Sequence, residues 1–366
     1  MVPPDISFGA GFGRSFDVDG GRLIVGATSA DYAVPGAGGA YIYEEIDGRW
    51  QETWRFFPPS PGFGREFGAT VALHGDVALI EQDFDAYVFE KDGGEWVLRD
   101  RLVPPDAPGG VRAFGATMVL TEHWAFIGAP LDDMIAGNVG SIYVYQRDGA
   151  DLTFTQKIVP PDAGVNRPRL GSSLASDGRT LLAGGPIADG EYDGEGAVYA
   201  YRFDGERWAL TQTIGHAQPE ARDRLGFGLS LSGDLMTVGA VGELAAYAFQ
   251  EDADGVWRQV ARFPEAGPGG GGRFGAATAT DGDRVIVGAP DGFSGGFATG
   301  VAHAYDLGCI LCPADLDADG ALTIFDFLAF FNLFQDGDPL ADFDGDGELT
   351  IFDFLAFQDA FDAGCD

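Results

Sequence analysis

The sequence predicts an all-β propeller of six visible four-stranded blades, with seven in a longer chain as the alternative, followed by a small helical module. Three observations carry this. A Phe-Gly or Leu-Gly pair recurs six times, at Phe12-Gly13, Phe67-Gly68, Phe114-Gly115, Leu170-Gly171, Leu225-Gly226 and Phe274-Gly275, in steps of 55, 47, 56, 55 and 49 residues. Each pair opens a unit of four short strand-like runs separated by Gly, Asp and Pro, and four strands per ~50 residues describe propeller blades. The composition then changes abruptly at Cys309: residues 309–366 hold 14 acidic side chains and no basic one, while residues 1–308 hold all 22 bases. The expected domains are therefore 1–306, a short linker 307–314, and 315–366.

Within each unit the second run ends on a glycine fourteen residues after the Phe or Leu: Gly26, Gly128, Gly184, Gly239 and Gly288. The second copy departs, with Glu81 in that place. The third run reads Ala40-Tyr41-Ile42-Tyr43 in the first copy and Ser141-Ile142-Tyr143-Val144-Tyr145 in the third, an alternation suited to half-buried strands. The fourth run starts near Trp50, Trp96, Trp208 or Trp257 and often ends in Pro-Pro, as at Pro104-Pro105. Proline lacks an N–H and fits a sheet edge. Val2-Pro3-Pro4-Asp5 matches the end of such a fourth run, and the last copy stops at Tyr305 without one. An N-terminal strand closing the sixth blade, or a lost seventh blade, both fit. Either way the N-terminus reads as truncated, with a signal peptide expected upstream.

Phe114-Gly115 with Ile127-Gly128-Ala129-Pro130, and Phe274-Gly275 with Val287-Gly288-Ala289-Pro290, resemble the FG-GAP repeat of integrin-type β-propellers, over residues ~1–306. Integrin-type blades often carry an Asp-rich calcium loop. Here the corresponding segments 31–39, 131–140, 187–196 and 291–300 lack an Asp-x-Asp-x-Asp-Gly pattern. Asp132, Asp133, Asp189 and Asp193 therefore read as solvated turn residues.

The tail holds two twelve-residue loops offset by 27 positions, Asp315–Asp326 and Asp342–Asp353. Carboxylates fall at positions 1, 3, 5 and 12, with glycine at 6. A hard cation such as Ca²⁺ takes six to eight oxygens, and this spacing curls them round one point. The candidate ligands are Asp315, Asp317, Asp319, the carbonyl of Ala321 and Asp326 for one ion, and Asp342, Asp344, Asp346, the carbonyl of Glu348 and Asp353 for a second. Tandem loops, each followed by one helix and with Asp at position 12, resemble a dockerin. Cys312-Pro313-Ala314-Asp315-Leu316 with a terminal Ala363-Gly364-Cys365 is similar to the GC-type dockerin-like domain that ends many secreted bacterial proteins. The resemblance implies two calcium ions and docking on a cohesin-like or other surface receptor through positions 10 and 11, here Ile324-Phe325 and Ile351-Phe352. Dockerins of cellulosomal enzymes usually carry polar residues there. The phenylalanines of both helices are apolar nearly all round, so they either pack inside the module or serve a partner.

Cys309, Cys312 and Cys365 lie at the edges of the tail and none in the propeller. A bridge from Cys309 or Cys312 to Cys365 would staple so small a unit. Zinc on Cys309-x-x-Cys312 is the alternative, and one cysteine is left over.

The chain carries 57 acids against 22 bases, a net charge of −35. Such a surface repels phosphate backbones and anionic membranes, which argues against a nucleic-acid partner. No apolar run is long enough to span a bilayer; Leu322–Phe334 is interrupted by Asp326. The four histidines, His74, His123, His216 and His303, show no metal spacing, and no nucleophile elbow or P-loop occurs. No catalytic residue is assigned. The sequence points to a secreted, non-catalytic binding or adhesion protein, extracellular or at the cell surface: the propeller would present a face to a protein or glycan ligand, and the tail would anchor it. The alternative is a polysaccharide-degrading enzyme carried by a dockerin-type anchor.

Overall fold

In a computed structural model the described residues are 3, 9–31, 34–107, 111–133, 137–161, 167–265, 272–291, 293–294, 297–298, 300–307, 314, 316, 322–336, 341, 343 and 349–363. They form a six-bladed all-β propeller followed by two short helices. The chain divides into two compact units, Met1–Leu229 and Ser230–Asp366.

The first four sheets are antiparallel meanders with strands in chain order. They are β1 (Phe12–Asp19), β2 (Arg22–Ala27), β3 (Gly39–Ile46) and β4 (Arg49–Phe56); β5 (Val71–His74), β6 (Val77–Gln82), β7 (Asp85–Asp92) and β8 (Glu95–Leu102); β9 (Thr117–Leu120), β10 (Trp124–Ala129), β11 (Ser141–Asp148) and β12 (Asp151–Ile158); and β13 (Ser173–Ser176), β14 (Thr180–Gly185), β15 (Ala197–Phe203) and β16 (Trp208–Ile214). The fifth sheet is β17 (Leu225–Ser232), β18 (Leu235–Ala240), β19 (Ala245–Glu251) and β20 (Trp257–Pro264). The sixth has three strands, β21 (Ala277–Asp281), β22 (Arg284–Ala289) and β25 (Val301–Asp306), with a two-residue ribbon β23 (Phe293–Ser294) and β24 (Phe297–Ala298) in the connection. Apart from Pro3, the segment 2–5 that could supply a closing strand lies outside the described residues.

The fourth strand of each complete blade is a sheet edge, as the prolines imply. Five blades carry a bulge at the same point between strands three and four, at Ile42/Tyr43, Val88/Phe89, Val144/Tyr145, Ala200/Tyr201 and Ala248/Phe249. A bulge adds twist and re-aims the outer strand. The third strands of the first five sheets are not half-buried, whereas β25 of the sixth alternates. Tyr143, Val144 and Tyr145 are all buried, because sheets stacked face to face cover both sides of the inner strands.

The repeat has a packing cause. Phe67, Phe114, Leu170 and Leu225 are fully buried, each wedged into the core between its own blade and the one before, as where Phe67 joins Ile24, Ile42 and Phe89. The glycine after each takes a left-handed φ, +86° at Gly68, that glycine adopts without strain. Its carbonyl then lies where a Cβ on Gly26 of the preceding blade would sit. The Phe-Gly or Leu-Gly pair and the glycine that ends the second run of the preceding blade are thus two halves of one blade-to-blade contact, made between Gly26 and Gly68, Gly128 and Gly171, Gly184 and Gly226, and Gly239 and Gly275. Side chains finish that seam: Ser15, Asp17 and Asp19 of β1 accept the N–H groups of Val71, Leu73 and Gly75 at 3.0, 2.8 and 2.6 Å. Burial pushes the Asp17 carboxyl up to about 6, against the pull of the Leu73 N–H.

The tail helices are α1 (Ile324–Asp336) and α2 (Ile351–Ala363). Phe330 and Phe357 stack at 4.5 Å in their core, with Phe327 and Phe361 against Phe357. Among the described residues no helix is long and apolar enough to cross a membrane.

Candidate functional site

Each tail helix begins with the same device. Thr323 and Thr350 accept the N–H of Phe325 and Phe352 on Oγ1, both at 3.1 Å. Asp326 and Asp353 reach back to the N–H of Thr323 and Thr350 at 2.7 and 2.6 Å. This is a capping box, which satisfies orphan donors at a helix start reciprocally. The other oxygen of each aspartate accepts the N–H of the second loop residue, Leu316 or Phe343, at 2.9 Å. Position 12 therefore ties the mouth of the loop to the helix, twice and identically.

Both aspartates are fully buried in a segment without a basic residue. A buried carboxylate is costly unless hydrogen-bonded and paired. An all-oxygen donor set with no cation of its own fits a hard divalent metal such as calcium. Of the candidate ligands only Asp326 and Asp353 are described. Asp315, Asp317, Asp319, Ala321, Asp342, Asp344, Asp346 and Glu348 lie outside the described residues, as do Cys309, Cys312 and Cys365.

The phenylalanines divide between buried and exposed positions. Phe330 and Phe357 are buried, whereas Ile324, Phe325, Ile351 and Phe352 are 66, 61, 64 and 63 % exposed. Leu328, Phe331 and Leu355 are exposed beside them in sequence. A unit this small leaves a duplicated apolar surface in water while seven of its ten phenylalanines form its core.

In the propeller the structure changes the reading of one acid. Asp132 is not a solvated turn residue: it is 2 % exposed, accepts the Ser141 hydroxyl at 2.6 Å and pairs with Lys157 at 2.8 Å. Lys157 also reaches Asp106 at 2.6 Å and lies 4.9 Å above the Tyr143 ring. Burial opposes the charge on Lys157, but its bonds to Asp106 and Asp132 outweigh that and raise its pKa. Asp133, Asp189 and Asp193 are exposed, as expected. The other lysine, Lys91, pairs with Glu44 at 2.7 Å.

Glu81 breaks the glycine pattern: it carries a side chain where four other blades have a glycine pressed against the next blade's glycine carbonyl. Its side chain lies against Gly115 of the next blade, and its carboxylate accepts the Phe84 N–H at 2.7 Å. Asp83 and Phe84 both take left-handed φ in the tight turn joining β6 to β7, the backbone of a type I′ hairpin. Burial, and then Asp83, Glu66 and Asp85 nearby, push Glu81 up to about 7. A carboxyl poised there can hold or release a proton at neutral pH.

The histidines keep structural surroundings. His303 sits 5.3 Å edge-on to Phe274 and stacks on Tyr305. His216 is buried 3.2 Å from Asp223, a pair that sequence reasoning missed.

No protein-family model matches the chain, so neither the FG-GAP nor the dockerin-like resemblance has a family match behind it. No curated protein matches it either. Solved structures do. A structure from Bacteroides uniformis, provisionally designated a 6-phosphogluconolactonase, is 14% identical, covers 80% of this chain and 85% of its own, and has a TM-score of 0.53. A protein from Lactobacillus plantarum is 14% identical over 80% of this chain and 88% of its own, with a TM-score of 0.50. The periplasmic gluconolactonase of Pseudomonas aeruginosa is 17% identical over 80% and 85%, with a TM-score of 0.48. At these identities the likeness is one of fold. The class the chain falls in is the six-bladed β-propeller, a fold that hosts many activities.

Proposed function

We propose that this chain is a secreted, extracellular or cell-surface binding protein, in which an FG-GAP-like propeller presents a ligand-binding face and a dockerin-like tail, organised by two calcium ions, anchors it to a cohesin-like or other surface receptor. The observation that carries the reading is the duplicated exposed pair Ile324-Phe325 and Ile351-Phe352. Exposed apolar patches rimmed by polar groups mark interaction sites. The two pairs are near-identical in sequence and exposure, so the module offers equivalent surface in two orientations related by a pseudo-two-fold. The bridge among Cys309, Cys312 and Cys365 belongs to this reading as a staple for the tail.

The test uses the full chain. A variant with Ser at all four positions is expected to keep its calcium-dependent helicity by circular dichroism and to lose association with the envelope fraction of its source cells. Unchanged association sinks the docking role.

One observation favours an enzyme instead. Glu81 is a buried carboxyl of pKa about 7 among three other acids, the profile of a general acid. On this reading the propeller degrades a polysaccharide, and Glu81→Gln abolishes release of reducing ends without lowering the unfolding midpoint. Full activity in the variant removes Glu81 from consideration.

A further inference from the structure

The chain has 57 acids against 22 bases, yet several of its arginines have no carboxylate partner among the described residues. Three such arginines meet in one cleft of about 320 Å³, lined by Arg167, Arg222, Arg224, Asp189, Asp193 and Ile187. Arg167 comes from the connection between β12 and β13, the other two arginines from that between β16 and β17, and the aspartates from that between β14 and β15. Among the described residues, none of the three guanidinium groups makes an ion pair or hydrogen bond. Arg179 and Arg207 nearby in sequence, by contrast, sit beside Asp177 and Asp204.

The arginine wall is built, not incidental. Arg222 takes a φ of +72°, a conformation costly for bulky residues and one that persists only where surroundings enforce it; Arg224, at +59°, shares its left-handed φ with Glu66, Ala113, Arg169 and Arg273, which hold the same place before the Phe-Gly or Leu-Gly pair of other blades. Two sets of bonds enforce it here. The N–H groups of Arg222 and Arg224 donate to the carbonyls of Asp193 and Gly194 at 3.0 and 3.2 Å. Between them Asp223 turns inward, buried against His216 at 3.2 Å, and caps the Glu220 N–H. With Asp223 held inside, its two neighbours are left exposed on the cleft. The opposite wall is tied as well, since Asp189 accepts the Gly194 N–H at 2.8 Å.

The charges set the ligand. Three guanidiniums against two carboxylates leave the cleft about one positive charge, with forked donors on one side and acceptors on the other. A guanidinium pairs with a carboxylate or phosphate through two parallel hydrogen bonds. Asp189 and Asp193 repel a second negative charge and call for hydroxyl donors. Ile187 gives a small apolar surface for C–H groups. We propose that this cleft binds a uronate sugar: one carboxylate on the arginines, ring hydroxyls donating to Asp189 and Asp193. The volume lies within the range of small-ligand pockets. The proposal rests on the propeller being the ligand-presenting part and names the site and ligand class for it.

The test is calorimetry of the full chain at low salt with glucuronate, trigalacturonate, glucose and glucose 6-phosphate. Glucuronate is expected to bind, glucose not to, and glucose 6-phosphate at least tenfold more weakly than glucuronate. Tighter binding of trigalacturonate than of glucuronate assigns the ligand to a polysaccharide, and equal binding assigns it to the free sugar acid. Arg222→Gln with Arg224→Gln should weaken glucuronate at least tenfold at an unchanged unfolding midpoint. Should that pair disturb the loop, Arg167→Gln, on a separate connection, should weaken it severalfold. Asp193→Asn should narrow the preference over glucose 6-phosphate. Binding that survives both arginine variants overturns the site and leaves a ligand-binding propeller. No binding of either uronate by the native chain, or a preference for the phosphate, overturns the ligand class; the tail-docking test is unaffected by either result.

Discussion

The propeller and the tail solve the same problem by different means. Both carry an excess of acid, about −21 over residues 1–308 and −14 over residues 309–366. The propeller answers from its own sequence. It pairs Asp132 and Asp106 with Lys157, pairs Glu44 with Lys91, gives Asp17 and Asp19 to backbone N–H groups, and lets Glu81 hold a proton. The tail has no base to use. Nine of its acids fall in two loops, closed at position 12 by buried aspartates whose recorded partners are N–H groups of the loop and helix start. The difference teaches where charge must be imported: the propeller has bases of its own to set against these acids, and the tail, which has none, is expected to take up a cation.

The strongest way to break this contrast is to remove the cation. Chelation of calcium, or Asp315→Ala with Asp342→Ala, is expected to abolish the helicity of the tail outright, because in so small a unit metal binding and folding are one event. The β-sheet signal of the propeller should not move. Circular dichroism during a calcium titration reads both. A tail whose helicity ignores calcium would show that its acids are balanced some other way.

The converse test strikes the propeller. Lys157→Met leaves Asp132 buried without its cation, and breaking a buried pair in this manner costs about 3–5 kcal/mol. Lys91→Met at the half-exposed Glu44 pair should cost under about 1 kcal/mol. Denaturant titration separates the two. Equal effects would mean that burial does not govern the value of these ion pairs. Neither change should alter calcium binding by the tail.

Why one half of this was readable and the other was not follows from distance along the chain. The blades were legible because four seams remake the same glycine-to-carbonyl contact, which prints Phe-Gly or Leu-Gly and a later glycine at fixed spacing. The position-12 aspartates stand out in the sequence as candidate calcium ligands, but their bonds to the N–H groups of Leu316, Thr323, Phe343 and Thr350 were not read from it, although those partners lie within ten residues. Glu81 showed itself only as a break in the pattern, and its proton affinity comes from Glu66, Asp83 and Asp85 gathered by the fold. Asp132 was misread because Lys157 stands 25 positions on, one strand further in the same sheet. Arg167 and Arg222 are 55 positions apart, one blade. They form a pair only when successive blades are overlaid.

Glu81 offers a subtler probe, because it is an acid whose proton affinity the fold itself raises. Its carboxyl is raised from 4.5 to about 7 in the folded chain. The folded state therefore binds the proton more tightly than the unfolded state. The resulting stabilisation is complete below pH 4.5 and is lost as pH rises through 7. A shift of this size corresponds to at most about 3 kcal/mol. Glu81→Gln keeps an acceptor for the Phe84 N–H and removes the titration. Its stability, measured against the native chain at pH 5 and pH 8, should gain on the native value as pH rises. A gain in the opposite sense would place the proton elsewhere.

The smallest effect bears on what the tail owes to its metal and what to its own hydrogen bonds. Thr323→Ala and Thr350→Ala each remove one acceptor from a helix start while sparing the carboxylate and its bond to the loop. Loss of such a cap costs about 1 kcal/mol. If the cation organises the loops and the box only starts the helices, each change should lower the unfolding midpoint of the calcium-loaded tail by a few degrees. The number of ions bound in calorimetry should stay the same. The two changes should also be nearly equal, since the two boxes match within 0.1 Å in every recorded hydrogen bond. Loss of a bound ion in either variant would mean that the box positions the ligand set, and that the propeller and the tail differ less than their charges suggest: both would then depend first on backbone donors, and only second on the cation.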